Sequence, residues 1–141
     1  MNVTATTRTY TLTLHDALPI WKVRHVHVVE VGEGVSCGRR WRAGEPTHLA
    51  TVPIGYADGI NRAWWEGGSV LVGGRRRPIR GVVTMDQLVV EVDDDVMVGD
   101  EVVLLGGQGD ESISAEEVAA SLGTITYEVL VSLGARVPRR Y

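Results

Sequence analysis

Three residue types that most proteins use freely are almost absent from this 141-residue chain: it has one cysteine, Cys37, one lysine, Lys22, and no phenylalanine. One cysteine excludes an internal disulfide bond and a zinc site built from cysteines alone. One lysine leaves a single side chain that can form a Schiff base with an aldehyde. No apolar run approaches the ~18 residues of a transmembrane helix, and the first residues lack the apolar core of a signal peptide. We therefore expect a cytoplasmic protein.

An excess of positive charge is also missing. The 14 basic residues are outnumbered by 18 acidic ones, which gives a net charge of -4. This balance argues against nucleic acids and anionic membranes as partners, because both attract basic surfaces. Valine is abundant instead, at 23 residues, and its branched side chain suits strands. The composition predicts a globular, mainly β protein.

The first twenty residues differ in composition and hydrophobic patterning from the rest of the chain. Residues 14–20 resemble the translation of a common sequencing-adapter oligonucleotide. We hypothesise that residues 1–20 are a leader of artefactual origin and that residues 21–141 form one domain. Ordinary coding DNA upstream of Trp21, with no adapter match, would overturn this hypothesis.

Hydrophobic patterning predicts many short strands and one clear helix. Ser114 is the expected N-cap of that helix, Glu117 completes a capping box, and Gly123 ends it. A second short helix is indicated over residues 128–133, and a flexible loop over residues 106–110. The fold class that we predict is mainly β, an open β-barrel or sheet domain with one clear helix. The expected strands cover residues 23–31, 48–54, 69–72, 75–83, 87–92 and 101–105.

The densest motif covers residues 52–62, where a strand ends in a loop that contains Gly55, Tyr56, Asp58 and Gly59. A tyrosine presented at the end of a rigid strand can act as an acid or a base. The alternative is an ordinary turn, because Asp-Gly pairs are common in turns and tyrosines often fill the edge of a core.

Two further motifs are less specific when taken alone. Met85 and Asp86 form a pair after a valine-rich segment, although methionine is more often a core filler. Tyr127 follows a Gly-Thr-Ile-Thr segment and is open to interpretation as a buried aromatic residue. The chain then ends at residues 136–141, which have the composition of a charged tail.

In this order and at these spacings, the motifs resemble the C-terminal β-domain of alanine racemase. The resemblance runs from Lys22 to Tyr141, about 120 of the 141 residues. No single segment is decisive, but the ordered set is highly specific. The matched segments are residues 34–36, 54–59, 85–87, 98–102, 113–117, 123–125, 127–128 and 136–139.

The resemblance implies a cofactor and two partners. Alanine racemases hold pyridoxal 5'-phosphate as a Schiff base on a lysine of an N-terminal (β/α)8 barrel. They are homodimers in which the C-terminal β-domain reaches into the other subunit's barrel. Because Lys22 lies outside any matching motif, the resemblance implies that the anchoring lysine is not on this chain. The chain would then be part of an enzyme that interconverts L-alanine and D-alanine for peptidoglycan precursors, and inactive alone.

The resemblance also implies a role for each candidate site residue. Tyr56 is the acid/base on one face of the substrate α-carbon, opposite the barrel lysine. Met85 and Asp86 lie at the substrate carboxylate, and Tyr127 binds the cofactor phosphate. Two acid/base groups are needed because racemisation removes a proton from one face and returns it to the other.

Two positions depart from the family pattern. Val82 stands where the family commonly has an arginine of the substrate entrance, and Cys37 stands where it often has a tyrosine. We expect the Cys37 thiol to be structural, because no group that would lower its pKa can be named. Two other functions stay open: a racemase of broader amino-acid specificity, and a β-barrel binding module without enzymatic activity.

The remaining candidates have simpler interpretations. His25 and His27 would share one strand face, but without a third ligand we predict ordinary sheet histidines and no metal site. The arginine run at residues 75–77 is interpreted as a solvated strand rather than a phosphate site. Trp64 and Trp65 are expected to form an exposed patch that a partner covers.

Overall fold

The computed structural model describes residues 21–137; residues 1–20, with the proposed leader, and residues 138–141 lie outside that range. Within it the chain forms eleven short strands and two α-helices. The strands are β1 (Trp21–Lys22), β2 (His25–Val29), β3 (Gly34–Val35), β4 (Trp41–Arg42), β5 (Thr47–Val52), β6 (Ser69–Val72), β7 (Arg75–Pro78), β8 (Leu88–Val92), β9 (Glu101–Val103), β10 (Gly106–Gln108) and β11 (Glu111–Ile113). The helices are α1 (Ala115–Leu122) and α2 (Thr126–Ser132), and 3-10 turns cover Cys37–Arg39, Tyr56–Asp58 and Arg62–Trp65.

Two antiparallel sheets carry the fold, and neither closes into a barrel. In the first sheet β5 lies between β2 and β8; in the second the order is β1, β9, β6, β7. β3 pairs with β4 and β10 with β11 as separate two-stranded hairpins. The predicted mainly β architecture is therefore confirmed in its open-sheet form.

One hydrophobic cluster joins both larger sheets to both helices. Valines fill much of it: Val52 of β5, Val70 and Val72 of β6, and Val90 and Val92 of β8 are each at most 6% exposed. Each such side chain contributes roughly 1.5–3 kcal/mol relative to an exposed one. Representative members are Val52, Leu71, Leu88, Val102, Val118 and Val129.

The predicted hairpin at Gly73-Gly74 is confirmed, and both glycines have positive φ, +64° and +72°. This geometry is that of the two-residue turns that match strand twist. The arginine run that follows is only partly solvated. Arg77 is 7% exposed and pairs with Asp93 at 2.6 Å, so the interpretation as a solvated strand is wrong at that position. The neighbouring acidic turn supplies the partner that lets this guanidinium be buried.

Helix α1 spans the predicted residues. The predicted N-cap and the glycine stop are present, but the capping box is incomplete. The Ser114 hydroxyl accepts the N–H of Glu117 at 3.1 Å, and Gly123 ends the helix with φ +68°. The Glu117 carboxylate does not close the capping box; it pairs with Arg76 of β7. The hydrogen bond from Arg76 is the main reason that the pKa of Glu117 lies below its ordinary value.

Two local expectations are wrong. Residues 106–108 are not a flexible loop but strand β10, which pairs in register with β11, and residues 109–110 form the turn between them. Trp64 is not part of an exposed patch, because it is 5% exposed within the core cluster, while Trp65 is half-buried. Gly68 makes room for the Trp64 side chain, because a β-carbon on Gly68 would lie 2.7 Å from Cδ1 of the Trp64 indole.

The two histidines of β2 share one face, as predicted. Their ring centroids are 5.3 Å apart, and Nδ1 of His27 is buried without a hydrogen-bond partner. Burial first, and then the charge of His25, lower the pKa of His27 against an opposing effect of Glu33. Within residues 21–137, no three His, Cys, Asp or Glu side chains are arranged to hold a metal ion. Neither α1 nor α2 is long and apolar enough to cross a membrane.

Candidate active site

The strongest sequence motif forms a tight turn, residues 55–59, which we call the Tyr56 turn. The N–H of Tyr56 donates to the carbonyl of Thr84 at 2.9 Å, and the N–H of Ala57 to that of Met85 at 3.0 Å. Gly55 permits this approach, because a β-carbon there would lie 2.2 Å from the Thr84 oxygen. Main-chain contacts therefore fix the Tyr56 turn against the loop that carries Met85.

A recess of about 390 Å³ opens beside this junction. The side chains around it are accessible: Tyr56 is 42% exposed, Met85 53% and Asp86 67%. The structure thus brings three of the four predicted site residues together, although Tyr56 and Asp86 are 30 positions apart in the chain. The residues that line the recess include Cys37, Tyr56, Arg62, Thr84, Met85 and Asp86.

Two residues of this site were missed as functional candidates. Asp58 is 13% exposed, and its Oδ2 accepts the N–H of Gly55 at 3.0 Å. Arg136, interpreted above as tail, lies with Nε 3.5 Å from Oδ1 of Asp58 and with Nη2 3.4 Å from Oδ1 of Asp86. The available signal was that Arg136 opens the last segment matched by the family resemblance, residues 136–139.

Tyr127, the fourth predicted residue, lies apart from the recess. It occupies the first turn of α2, is 76% exposed and is not among the residues that line the recess. Ile125 and Val131 beside it are 64% and 75% exposed. The domain therefore presents two separate surfaces, one with Tyr56 and one with Tyr127.

The two departures from the family pattern differ in position. Val82 is 2% exposed, and its carbonyl accepts the hydroxyl of Ser36. Cys37 is exposed and lines the recess. Cys37 therefore borders the same recess as Tyr56 and does not pack in the core.

A more enclosed cavity of about 120 Å³ lies between the sheet and the helices, near Ile60, Trp64 and Leu133. Its lining is apolar apart from a few groups such as Glu128, and it does not include Tyr56, Met85 or Asp86. The cavity is thus separate from the recess at Tyr56 and is lined mainly by members of the hydrophobic cluster.

The open β domain presents Tyr56, Met85 and Asp86 on one recess. A sequence profile described as "Alanine racemase, C-terminal domain" matches residues 20–141. The chain belongs to the family of alanine racemase C-terminal domains, in which the relatives are isomerases.

Individual relatives agree with this assignment. The alanine racemase of Cutibacterium acnes is 47% identical over 129 residues, which cover 89% of this chain and 34% of that protein. The crystal structure of alanine racemase from E. faecalis superposes with a TM-score of 0.83 at 39% identity, over 86% of this chain and 33% of the other. The structure of the Bacillus anthracis alanine racemase with bound L-Ala-P gives a TM-score of 0.80 at 46% identity, over 84% and 30%.

The chain spans about a third of the length of the relatives that it matches. The features compared above therefore concern one domain of those proteins.

Proposed function

We propose that this chain supplies the C-terminal domain of an alanine racemase, with Tyr56 as one of its two acid/base groups. The observation that carries the proposal is the recess itself. Tyr56, Met85 and Asp86 line it together, on a chain that is 47% identical to an alanine racemase. The reaction proposed for the whole enzyme is the interconversion of L-alanine and D-alanine.

Tyr56 suits this role by its position. Its main chain is fixed by the hydrogen bond to Thr84, while its side chain is exposed at the recess. A phenol can donate or accept a proton at the α-carbon of a bound amino acid, provided that the ring is held in one place. The second acid/base group serves the opposite face of the α-carbon, and we assign it to the part of the enzyme that this chain does not span.

Pyridoxal 5'-phosphate is the cofactor that we propose, and the residues present fit a share of its site. When bound, this cofactor stabilises negative charge that develops at the substrate α-carbon. The exposed hydroxyl of Tyr127 is a suitable hydrogen-bond donor to a phosphate oxygen. Lys22 does not fit the anchoring role: it lies in edge strand β1 opposite Glu101 and does not line the recess.

The proposed partners follow from the incomplete site. The anchoring lysine and the second acid/base group require an N-terminal barrel domain. The separate surfaces of Tyr56 and Tyr127 support a homodimer in which one domain serves two sites. We propose that the D-alanine produced is used in peptidoglycan precursors. The proposed compartment is the cytoplasm, where a lone cysteine such as Cys37 stays reduced.

A chimera tests the proposal. The C-terminal domain of the Cutibacterium acnes alanine racemase is replaced by residues 21–141, and the protein is purified from a host without its own racemases. We expect the chimera to racemise L-alanine in the presence of pyridoxal phosphate, and the 141-residue chain alone to show no turnover.

Two matched substitutions separate the tyrosine roles. Tyr56→Phe removes one hydroxyl and is expected to lower kcat by roughly 10²–10⁴-fold, the range for lost acid/base catalysis. Tyr127→Phe removes the same group from the other surface and is expected to weaken cofactor binding, with kcat restored at saturating cofactor. Full turnover by Tyr56→Phe would contradict the proposal and favour a binding module.

A further inference from the structure

The proposed site contains an electrostatic conflict. Asp86 lines the recess with its carboxylate 67% exposed. The carboxylate of an amino-acid substrate would meet a like charge there, and two neighbouring carboxylates disfavour each other's ionised form. Binding of an anionic group in this recess therefore requires a cation that offsets Asp86.

Two arginines are near enough to do so: Arg62 lines the recess, and the one that forms an ion pair with Asp86 itself is Arg136. Its guanidinium lies 3.4 Å from Asp86 through Nη2 and 3.5 Å from Asp58 through Nε. Of the ion pairs formed within residues 21–137, those that reach Asp58 and Asp86 come from Arg136. Arg136 is itself 61% exposed, so its charge is screened by solvent, but it lies against Asp86, which lines the recess.

Asp58 connects this arginine to the proposed acid/base. Its Oδ2 accepts the N–H of Gly55, the residue before Tyr56, and its carbonyl accepts the N–H of Gly134 at 2.9 Å. Arg136 therefore joins three segments: the Tyr56 turn, the loop with Asp86, and the chain that follows α2.

We propose that Arg136 is a positioning residue that neutralises Asp86 and holds it beside the Tyr56 turn, so that a substrate carboxylate can bind. The inference rests on the proposed function, because it names the residue that makes the recess suitable for an amino acid. Arg136 acts in two ways: its positive charge offsets Asp86, and its ion pairs hold Asp86 and Asp58 in place.

The chimera provides the kinetic test. Arg136→Gln is expected to raise KM for L-alanine about tenfold at low salt, while kcat falls by less than about threefold, because the charge acts on binding of the carboxylate. The increase in KM should shrink as the salt concentration rises, since exposed charges are screened. Arg136→Lys keeps the charge and should restore KM to within about threefold of the parent.

Arg75→Gln is the matched control. Arg75 is 68% exposed and has one carboxylate partner, Asp93, at 3.2 Å, on a hairpin that does not line the recess. It should leave KM and kcat unchanged. An active, Tyr56-dependent chimera whose KM is the same with Arg136→Gln would overturn the inference and leave the proposed function standing.

A second measurement does not need activity. Amide hydrogen exchange of the 141-residue chain should show the Gly55 N–H exchanging at least about fivefold faster in Arg136→Gln, with the amides of β5 and β8 unchanged. Unchanged exchange at Gly55 would overturn the positioning role. Faster exchange at Gly55 together with an inactive parent chimera would refute the proposed function but retain the bridge that Arg136 makes.

Discussion

Gly59 lies directly against the main chain of Ser132. A β-carbon at Gly59 would lie 1.7 Å from the Ser132 carbonyl oxygen, and the backbone of Gly59 has φ +103°. The end of α2 is thus seated on the Tyr56 turn, with the Gly134 N–H bonded to the Asp58 carbonyl. The position of the proposed acid/base therefore depends on a helix that the chain reaches some seventy residues later.

Replacing Gly59 should separate these two elements. Gly59→Ala adds a backbone clash to the strain of a positive φ, and we expect it to lower the free energy of unfolding by about 3 kcal/mol. Gly67→Ala is the control, because Gly67 has φ +91° but open space around its β-carbon position, and it should cost about 1 kcal/mol. Urea denaturation measures both, and equal losses would show that the contact with Ser132 is unimportant.

The ion pair between Arg76 and Glu117 predicts a loss of stability in acid. The pKa of Glu117 is lowered in the folded state, so below the ordinary pKa of about 4.5 the unfolded chain binds a proton that the folded chain does not. The resulting stabilisation is complete above that pKa and is lost as pH falls through the folded value. Glu117→Gln should flatten the fall in unfolding free energy below about pH 5, measured by urea denaturation.

Glu116 supplies the comparison for this experiment. It is the neighbouring exposed carboxylate in the same first turn of α1. Glu116→Gln should keep most of the acid-dependent loss, since the partner of Arg76 is Glu117. An identical pH profile for the two variants would contradict the assignment.

His27 predicts a second pH effect, nearer neutrality. Its pKa is lowered, chiefly by burial, so as pH falls below its ordinary value of about 6.5 the unfolded state binds the proton first. Stability should therefore fall as pH decreases below that ordinary value and level off below the folded pKa. His27→Gln should remove this slope, and His25→Gln should reduce it because the charge of His25 is the second cause of the shift. A slope that survives in His27→Gln would assign it to another group.

Cys37 offers a chemical test of the recess. Because the thiol is exposed and shares the recess with Tyr56, a bulky maleimide attached to it should obstruct the substrate. We expect modification of the chimera to lower kcat/KM at least about tenfold. The Cys37→Ser variant should be insensitive to the reagent, and full activity of a completely modified chimera would place the substrate elsewhere.

Features with local signals were predictable from the sequence. Helix α1 was placed correctly because Ser114 and Gly123 act on their own ends of the helix. The Gly73-Gly74 turn was also correct, because two consecutive glycines can both adopt positive φ. The motif around Tyr56 predicted a strand end with a tight turn, and that is what the structure contains.

Features decided by distant partners were not predictable. The segment with Gly106 resembled a loop, but the Gln108 side chain bonds to the Gly74 N–H and to the Glu101 carbonyl, which secures the β10–β11 hairpin. Only the Ser114 hydrogen bond of the predicted capping box forms, because the Glu117 carboxylate pairs with Arg76 instead. Arg136 had no local pattern, since its partners lie 78 and 50 positions earlier in the chain.

The Tyr56 turn is joined to the loop with Met85 by two hydrogen bonds between main-chain N–H and carbonyl groups. Every amino acid except proline has the N–H donor that such a bond needs. Side chains on the rim, such as Cys37, Arg62 and Gln87, do not form that junction. They can therefore be randomised together in a directed-evolution library while the proposed acid/base stays in place. Because the junction does not depend on the rim side chains, such a library could be screened for amino acids other than the proposed substrate, alanine.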